Sequence, residues 1–163
     1  MAREVILQPG ELFFGREDVV VRTVLGSCIA ITLWHPEQKQ GGMCHYMLPS
    51  RRNPSAKLDG RYADEALALL LQAASHYPAP IHEYEAKLFG GGNMFTEPQF
   101  AQSDNNVAAK NIQAAWQLTR HLGLDIKAHH LGHSGHRSLL FELSNGSVWL
   151  RHHRLPHQRE SRE

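Results

Sequence analysis

Two runs of strand-forming residues lie so close together that only a turn can separate them, and this constrains the fold more than any other feature. CIAITLW (residues 28–34) and MCHYML (residues 43–48) are built from the alternating, β-branched and aromatic residues that strands favour, and the turn-rich HPEQKQGG joins them. They read as a β-hairpin. VVVRTV (residues 19–24) is a further strand just upstream. The run DGRYADEALALLLQAASH (residues 59–76) then changes period. Ala63, Ala66, Leu67, Leu70, Leu71 and Ala74 recur at helical spacing, and Pro78 and Pro80 end the segment.

EAKLF (residues 85–89) reads as a strand running into the glycines of GGGNMF. A second helix, capped by Ser103 or Asp104 and stopped by Gly123, turns Val107, Ala108, Ile112, Ala115, Leu118, Thr119 and Leu122 inward. The chain closes with strands DIKAHHL (125–131), SLLFEL (138–143) and SVWL (147–150). The last two are joined through Asn145-Gly146, a pair suited to the positive φ angles of a type I′ turn. After Leu150, the tail RHHRLPHQRESRE has little to bury. The expected organisation is one domain over residues 1–151 and a disordered polar tail over residues 152–163.

A chain of 163 residues with 42% hydrophobic residues can bury one real core. Its 17 Lys and Arg nearly balance 16 Asp and Glu, so no global field selects nucleic acid or an anionic membrane surface. No segment approaches the roughly 20 apolar residues of a membrane span, and MAREVILQPG does not resemble a secretory signal, so the expected location is the cytoplasm without membrane insertion. Two cysteines do not make a disulfide framework, so each is either inert packing or reactive chemistry.

Cys28 stands behind Leu25-Gly26-Ser27 at the head of its run. Alternation puts it with Ala30, Thr32 and Trp34, opposite the more apolar Ile29, Ile31 and Leu33. His45 shares a face with Met43 and Met47, whereas Cys44 turns the other way. A tight turn at Pro36-Glu37 sets Cys28 directly across from His45, whereas a wider loop through Gly41-Gly42 slides them apart. A free thiol with a pKa near 8.5 needs such an imidazole to act as a nucleophile near neutral pH. Backbone N–H groups near Gly26 and Ser27 are candidate oxyanion donors. The competing reading makes Cys28 a small core residue and His45 a satisfied strand residue.

TVLGSC, GGMCHYMLP, RYADEAL, KLFGGGNMF and GHSGHRSLLFELSNGSVWL, in this order, resemble the CheD family of chemoreceptor glutamine deamidases from about Leu7 to Leu150. The most specific elements are L-G-S-C and the H-x-M-L-P of His45 to Pro49. The resemblance implies a single-domain α/β (α+β) layered sandwich of largely antiparallel, mixed β-sheet with two main helices, similar to toxin-type cysteine deamidases. It also implies a hydrolase that converts glutamines of methyl-accepting chemotaxis receptors to glutamate, with no cofactor and no metal. Cys28 takes the nucleophile position and His45 the base position. The family's threonine, six positions before the cysteine, falls on Arg22, with Thr23 next to it as the tentative third catalytic residue. Gly132 to Arg137 departs from the family's Gly-Asn-x-Gly-Arg-Lys. A CheC-type phosphatase is a further implied partner, and a regulatory module that docks to it or to receptors with little catalysis is the alternative to an enzyme. No peptidase signature supports a cysteine protease.

Three other signals need weighing. The glycines of KLFGGGNM match neither G-x-G-x-x-G nor a Walker loop, which favours close backbone packing over phosphate binding. His129, His130, His133 and His136 lack a neighbouring cysteine or acid that would complete a metal motif, and alternation sends His129 and His130 to opposite faces. Arg51, Arg52 and Lys57 form a basic loop, in the ordinary case solvated surface and in the alternative a guide for an acidic partner.

Overall fold

In the computed structural model, which describes residues 2–95 and 106–156, the β-rich chain folds into two stacked sheets with helices on one side. The described residues form strands β1 (Arg3–Ile6), β2 (Leu12–Arg16), β3 (Val19–Leu25), β4 (Ile29–His35) and β5 (Gln40–Tyr46), then helix α1 (Ala63–Ala74) and strand β6 (Glu85–Gly90). Helix α2 (Val107–His121) and strands β7 (Asp125–Leu131), β8 (His136–Glu142) and β9 (Val148–His153) follow. One sheet runs β1-β3-β8-β9 and the other β2-β5-β4-β6-β7. This is the mixed, single-domain α+β sandwich expected.

The layers follow from where apolar side chains go. Ile29, Ile31 and Leu33 cluster with Ala66, Leu67 and Leu70 of α1 and Ala115 of α2. Ala30, Met43 and Phe89 face the other way, against Val21 and Leu25 of β3 and Leu139 and Phe141 of β8. β4 is thus the middle strand of the middle layer, and Ile29 through Leu33 are at most 1% exposed. The expectation of one apolar face and one milder face misses this double burial. Each fully buried aliphatic side chain contributes about 1.5–3 kcal/mol, so β4 anchors both cores.

Several boundaries differ from the sequence reading. β4 begins at Ile29, leaving Cys28 on the loop before it. The hairpin turns over residues 36–39, with Lys39 at φ 51°, and pairs His35 with Gln40, so Gly41 and Gly42 lie inside β5 rather than in the turn. At the β8–β9 connection, Gly146 has φ +79° while Asn145 stays out of the left-handed region, which excludes a type I′ turn. The short strands β1 and β2 carry no clear alternation that would mark them in the sequence. The expected caps Ser103 and Asp104 lie outside the described residues, and the N-cap is Asn106, whose side chain accepts from the Ala109 N–H at 2.8 Å.

β9 continues past Leu150 to His153, because His136 to Phe141 of β8 pair with it along its whole length. No described helix is long and apolar enough to cross a membrane.

Candidate active site

Thr23, Cys28 and His45 come from three segments that border the core between the two sheets, and Thr23 and His45 meet there. Odd positions of β3 point inward, so Thr23 is 3% exposed between Val21 and Leu25, while Arg22 faces solvent and pairs with Glu4 at 3.0 Å. Parity alone therefore disqualifies the position six residues before Cys28. His45, 1% exposed, lies on the face of β5 that Met43 also uses, while Cys44 and Tyr46 point toward the helices.

The Thr23 hydroxyl lies 2.7 Å from Nδ1 of His45 and donates to the Leu7 carbonyl at 2.9 Å. A hydroxyl has one proton, so toward His45 it accepts. Nδ1 therefore carries the imidazole proton and donates it, which leaves Nε2 with a lone pair. Among the described residues that buried Nε2 has no hydrogen-bond partner. The loop between β1 and β2 also holds the histidine by its backbone: the His45 carbonyl accepts from Gly10 N–H at 2.7 Å, and the His45 N–H donates to the Glu11 carbonyl at 3.2 Å. Nothing in the sequence pattern marked Leu7 or Glu11 for this work, since their contribution is a carbonyl.

Cys28 is half-buried and packs against the inter-sheet core. β4 and β5 pair Ala30 with His45, so Cys28 is displaced two residues along the strand, on the same side as Ala30 and His45. The hairpin takes neither the tight turn nor a loop through the glycines; its register is slid by two residues, and no hydrogen bond joins the thiol to the imidazole. Met47, Met94 and Phe95 are exposed, and Met94 packs on Gly26, two residues before Cys28.

The glycines after β6 take the packing use rather than the phosphate one. Gly91 N–H donates to the Cys28 carbonyl at 2.8 Å and Gly92 N–H to the Gly26 carbonyl at 2.9 Å. A Cβ at Gly90, which has φ +112°, would collide with the Cys28 carbonyl. Behind this loop, the fully buried Arg137 guanidinium donates to the Gly90 carbonyl at 3.2 Å, the Gly132 carbonyl at 2.6 Å and His130 Nδ1 at 2.9 Å. The His-rich segment thus contributes an arginine that braces the backbone behind Cys28.

His129 turns instead to the Trp116 ring at 5.1 Å. Among the described residues no three or more His, Cys, Asp or Glu converge as metal ligands would. Arg51, expected to guide a partner, is tied to Glu65 at 2.8 Å and stacks over Tyr62, so its charge is used within the fold. A cleft of about 330 Å³ borders Thr23 and is lined by Leu7, Arg22 and Leu139, but contains neither thiol nor imidazole.

Electrostatics keep the resting groups neutral. Burial lowers the His45 pKa to about 4, opposed in part by the Glu11 carboxylate, and burial pushes the Cys28 thiol up. Cys44, fully buried against the helices, is pushed up to about 12 and is inert packing. The His45 shift has a consequence for stability. The unfolded chain takes up a proton near pH 6.5 while the folded chain resists until about 4, so the stabilisation is complete above about pH 6.5 and is lost as pH falls toward 4. Urea unfolding should show a loss on the order of 2–3 kcal/mol over that window, absent from His45→Gln. Equal acid sensitivity in both proteins would contradict the buried neutral imidazole.

Comparison with known proteins places this geometry in context. The family model described as CheD chemotactic sensory transduction matches residues 47–152, a span that contains neither Cys28 nor His45. A protein of Pseudomonas syringae pv. tomato named "Probable chemoreceptor glutamine deamidase CheD" is 46% identical over 151 residues, covering 93% of this chain and 90% of the relative. A protein of the same name from Pseudomonas fluorescens is 48% identical over 91% of this chain and 84% of its own length. One from Leptospira interrogans, named "Probable chemoreceptor glutamine deamidase CheD 1", is 33% identical over 90% of this chain and 91% of its own.

Proposed function

The chain belongs to the CheD family, and on that premise we propose that it hydrolyses selected glutamine side chains of methyl-accepting chemotaxis receptors to glutamate. One observation carries the reading: an imidazole whose proton is held on Nδ1 by Thr23 and whose Nε2 lone pair is buried and bare. Buried side-chain nitrogens are as a rule hydrogen-bonded, so an unpaired one supports a chemical role over a purely structural one.

In this mechanism the thiol of Cys28 turns toward Nε2 as substrate binds, since catalytic hydrogen bonds of free enzymes often tighten only in the complex. Nε2 takes the thiol proton and Sγ attacks the carboxamide carbon, giving a tetrahedral oxyanion. The C–N bond breaks as His45 returns the proton to the departing ammonia, leaving a thioester. Water, giving a proton to the same Nε2, attacks the thioester. The C–S bond breaks, the thiol is re-formed and glutamate is released.

The oxyanion donors of this mechanism are the Ser27 and Cys28 amides. The Gly26 and Ser27 carbonyls are held by Gly92 N–H and Asn111 Nδ2. A trans peptide sets each N–H opposite its carbonyl, so the amides of Ser27 and Cys28 point away from those anchors.

Incubating a receptor cytoplasmic fragment with the purified protein should raise its mass by about one unit per modified glutamine, the difference between an amide and a carboxylic acid. A folded protein that leaves several receptor fragments unchanged would overturn the proposal in favour of a docking module for receptors or a CheC-type phosphatase.

A further inference from the structure

Helix α2 is expected to serve as packing, but one of its residues connects directly to both halves of the candidate site. Asn111 is fully buried. Its Nδ2 donates to the Ser27 carbonyl at 3.0 Å and to the Met47 carbonyl at 2.8 Å. Ser27 immediately precedes the thiol residue, and Met47 lies two residues beyond His45. The Asn111 main-chain carbonyl also accepts from the Tyr46 hydroxyl at 2.6 Å.

The orientation of the amide is unambiguous. Both neighbours are carbonyl oxygens, so the NH₂ group must face them, and a flipped amide would set oxygen against oxygen. Its Oδ1 is then buried without a hydrogen-bond partner among the described residues. An unpartnered buried acceptor destabilises a fold, so stability alone does not explain an asparagine here.

We propose that Asn111 is a positioning residue for the deamidation: its one NH₂ group, bonded to the carbonyls before Cys28 and after His45, sets the separation of thiol and imidazole. This rests on the proposed reaction. The two segments are not hydrogen-bonded to each other through Cys28, which stands outside β4, so the register of the hairpin does not by itself fix the distance its side chain must cover. The amide bridge supplies that constraint from a third element. Asn111 itself contacts neither side chain, which makes it a positioning residue and not a catalytic one.

The test compares wild type with Asn111→Leu, which keeps volume but loses both donors, and Asn111→Asp, which sets a carboxylate against two carbonyls. With a receptor fragment as substrate, Asn111→Leu should lower kcat about 100-fold and leave KM within about threefold, since the residue does not touch substrate. Asn111→Asp should regain activity relative to wild type as pH is lowered from about 8 to 6, because only the protonated acid can donate a hydrogen bond to a carbonyl.

Folded variants with wild-type kcat, a loss confined to KM, or an Asn111→Asp activity ratio independent of pH would each overturn the assignment. So would loss of cooperative folding in both variants, which would make the amide a determinant of the fold. An inactive wild type would instead count against the deamidase reading itself.

Discussion

Cys28→Ala should abolish deamidation, with receptor-fragment mass unchanged under conditions where wild type reaches completion, a fall of at least about 10⁴-fold. The second cysteine is not placed to replace the nucleophile. Cys44 is fully buried, with its thiol pushed up to about 12, and faces the helices. The fold should tolerate the change, because Cys28 is half-buried on a loop whose carbonyls, not its side chain, make the anchoring bonds to Gly91, Gly92 and Asn111. A melting temperature within a few degrees of wild type would confirm that chemistry alone was removed. Residual activity above about a hundredth of wild type would exclude Cys28 as the nucleophile.

His45→Gln should lower kcat about 10³-fold with a small change in KM, the range that one general base contributes. Thr23→Val is the informative companion. It leaves the Nδ1 proton buried without an acceptor, which costs about 1–3 kcal/mol, and frees the ring to place its proton on Nε2, where it blocks the base. The expected loss in kcat is roughly 10- to 100-fold.

The pH profile separates this arrangement from a preformed thiolate–imidazolium pair. Because burial holds His45 neutral until about pH 4, the wild-type rate should show no inflection near 6.5 and should rise toward alkaline pH with the Cys28 thiol, which burial pushes up. A His45 resonance titrating near 6.5, measured by nuclear magnetic resonance, would contradict the bare buried Nε2.

Much of this architecture is legible in the chain because it depends on local period. The helical spacing of Ala63 to Ala74, the strand DIKAHHL and the glycine run after KLF each carry their own signal, and all three form where expected. Cys28 and His45 stand out by residue type, together with the spacing that resembles the CheD family. Thr23 was ambiguous beside Arg22 until strand parity turned one inward and the other to solvent.

What the sequence could not express is how elements distant along the chain meet. The hairpin register depends on a turn of residues 36–39 closed by a left-handed Lys39, and this displaces Cys28 two residues from His45. The Leu7 carbonyl, the Asn111 amide and the Arg137 guanidinium act through hydrogen bonds to groups 16, 84 and 47 positions away. Their effect on the site comes from the stacking of two sheets and a helix around Cys28. Residue type and period therefore determined the candidate nucleophile, the candidate base and the elements that carry them. Only the tertiary structure decided which proton sits on His45, which atom is left bare and what holds the thiol in place, because those depend on donors and acceptors brought together by packing.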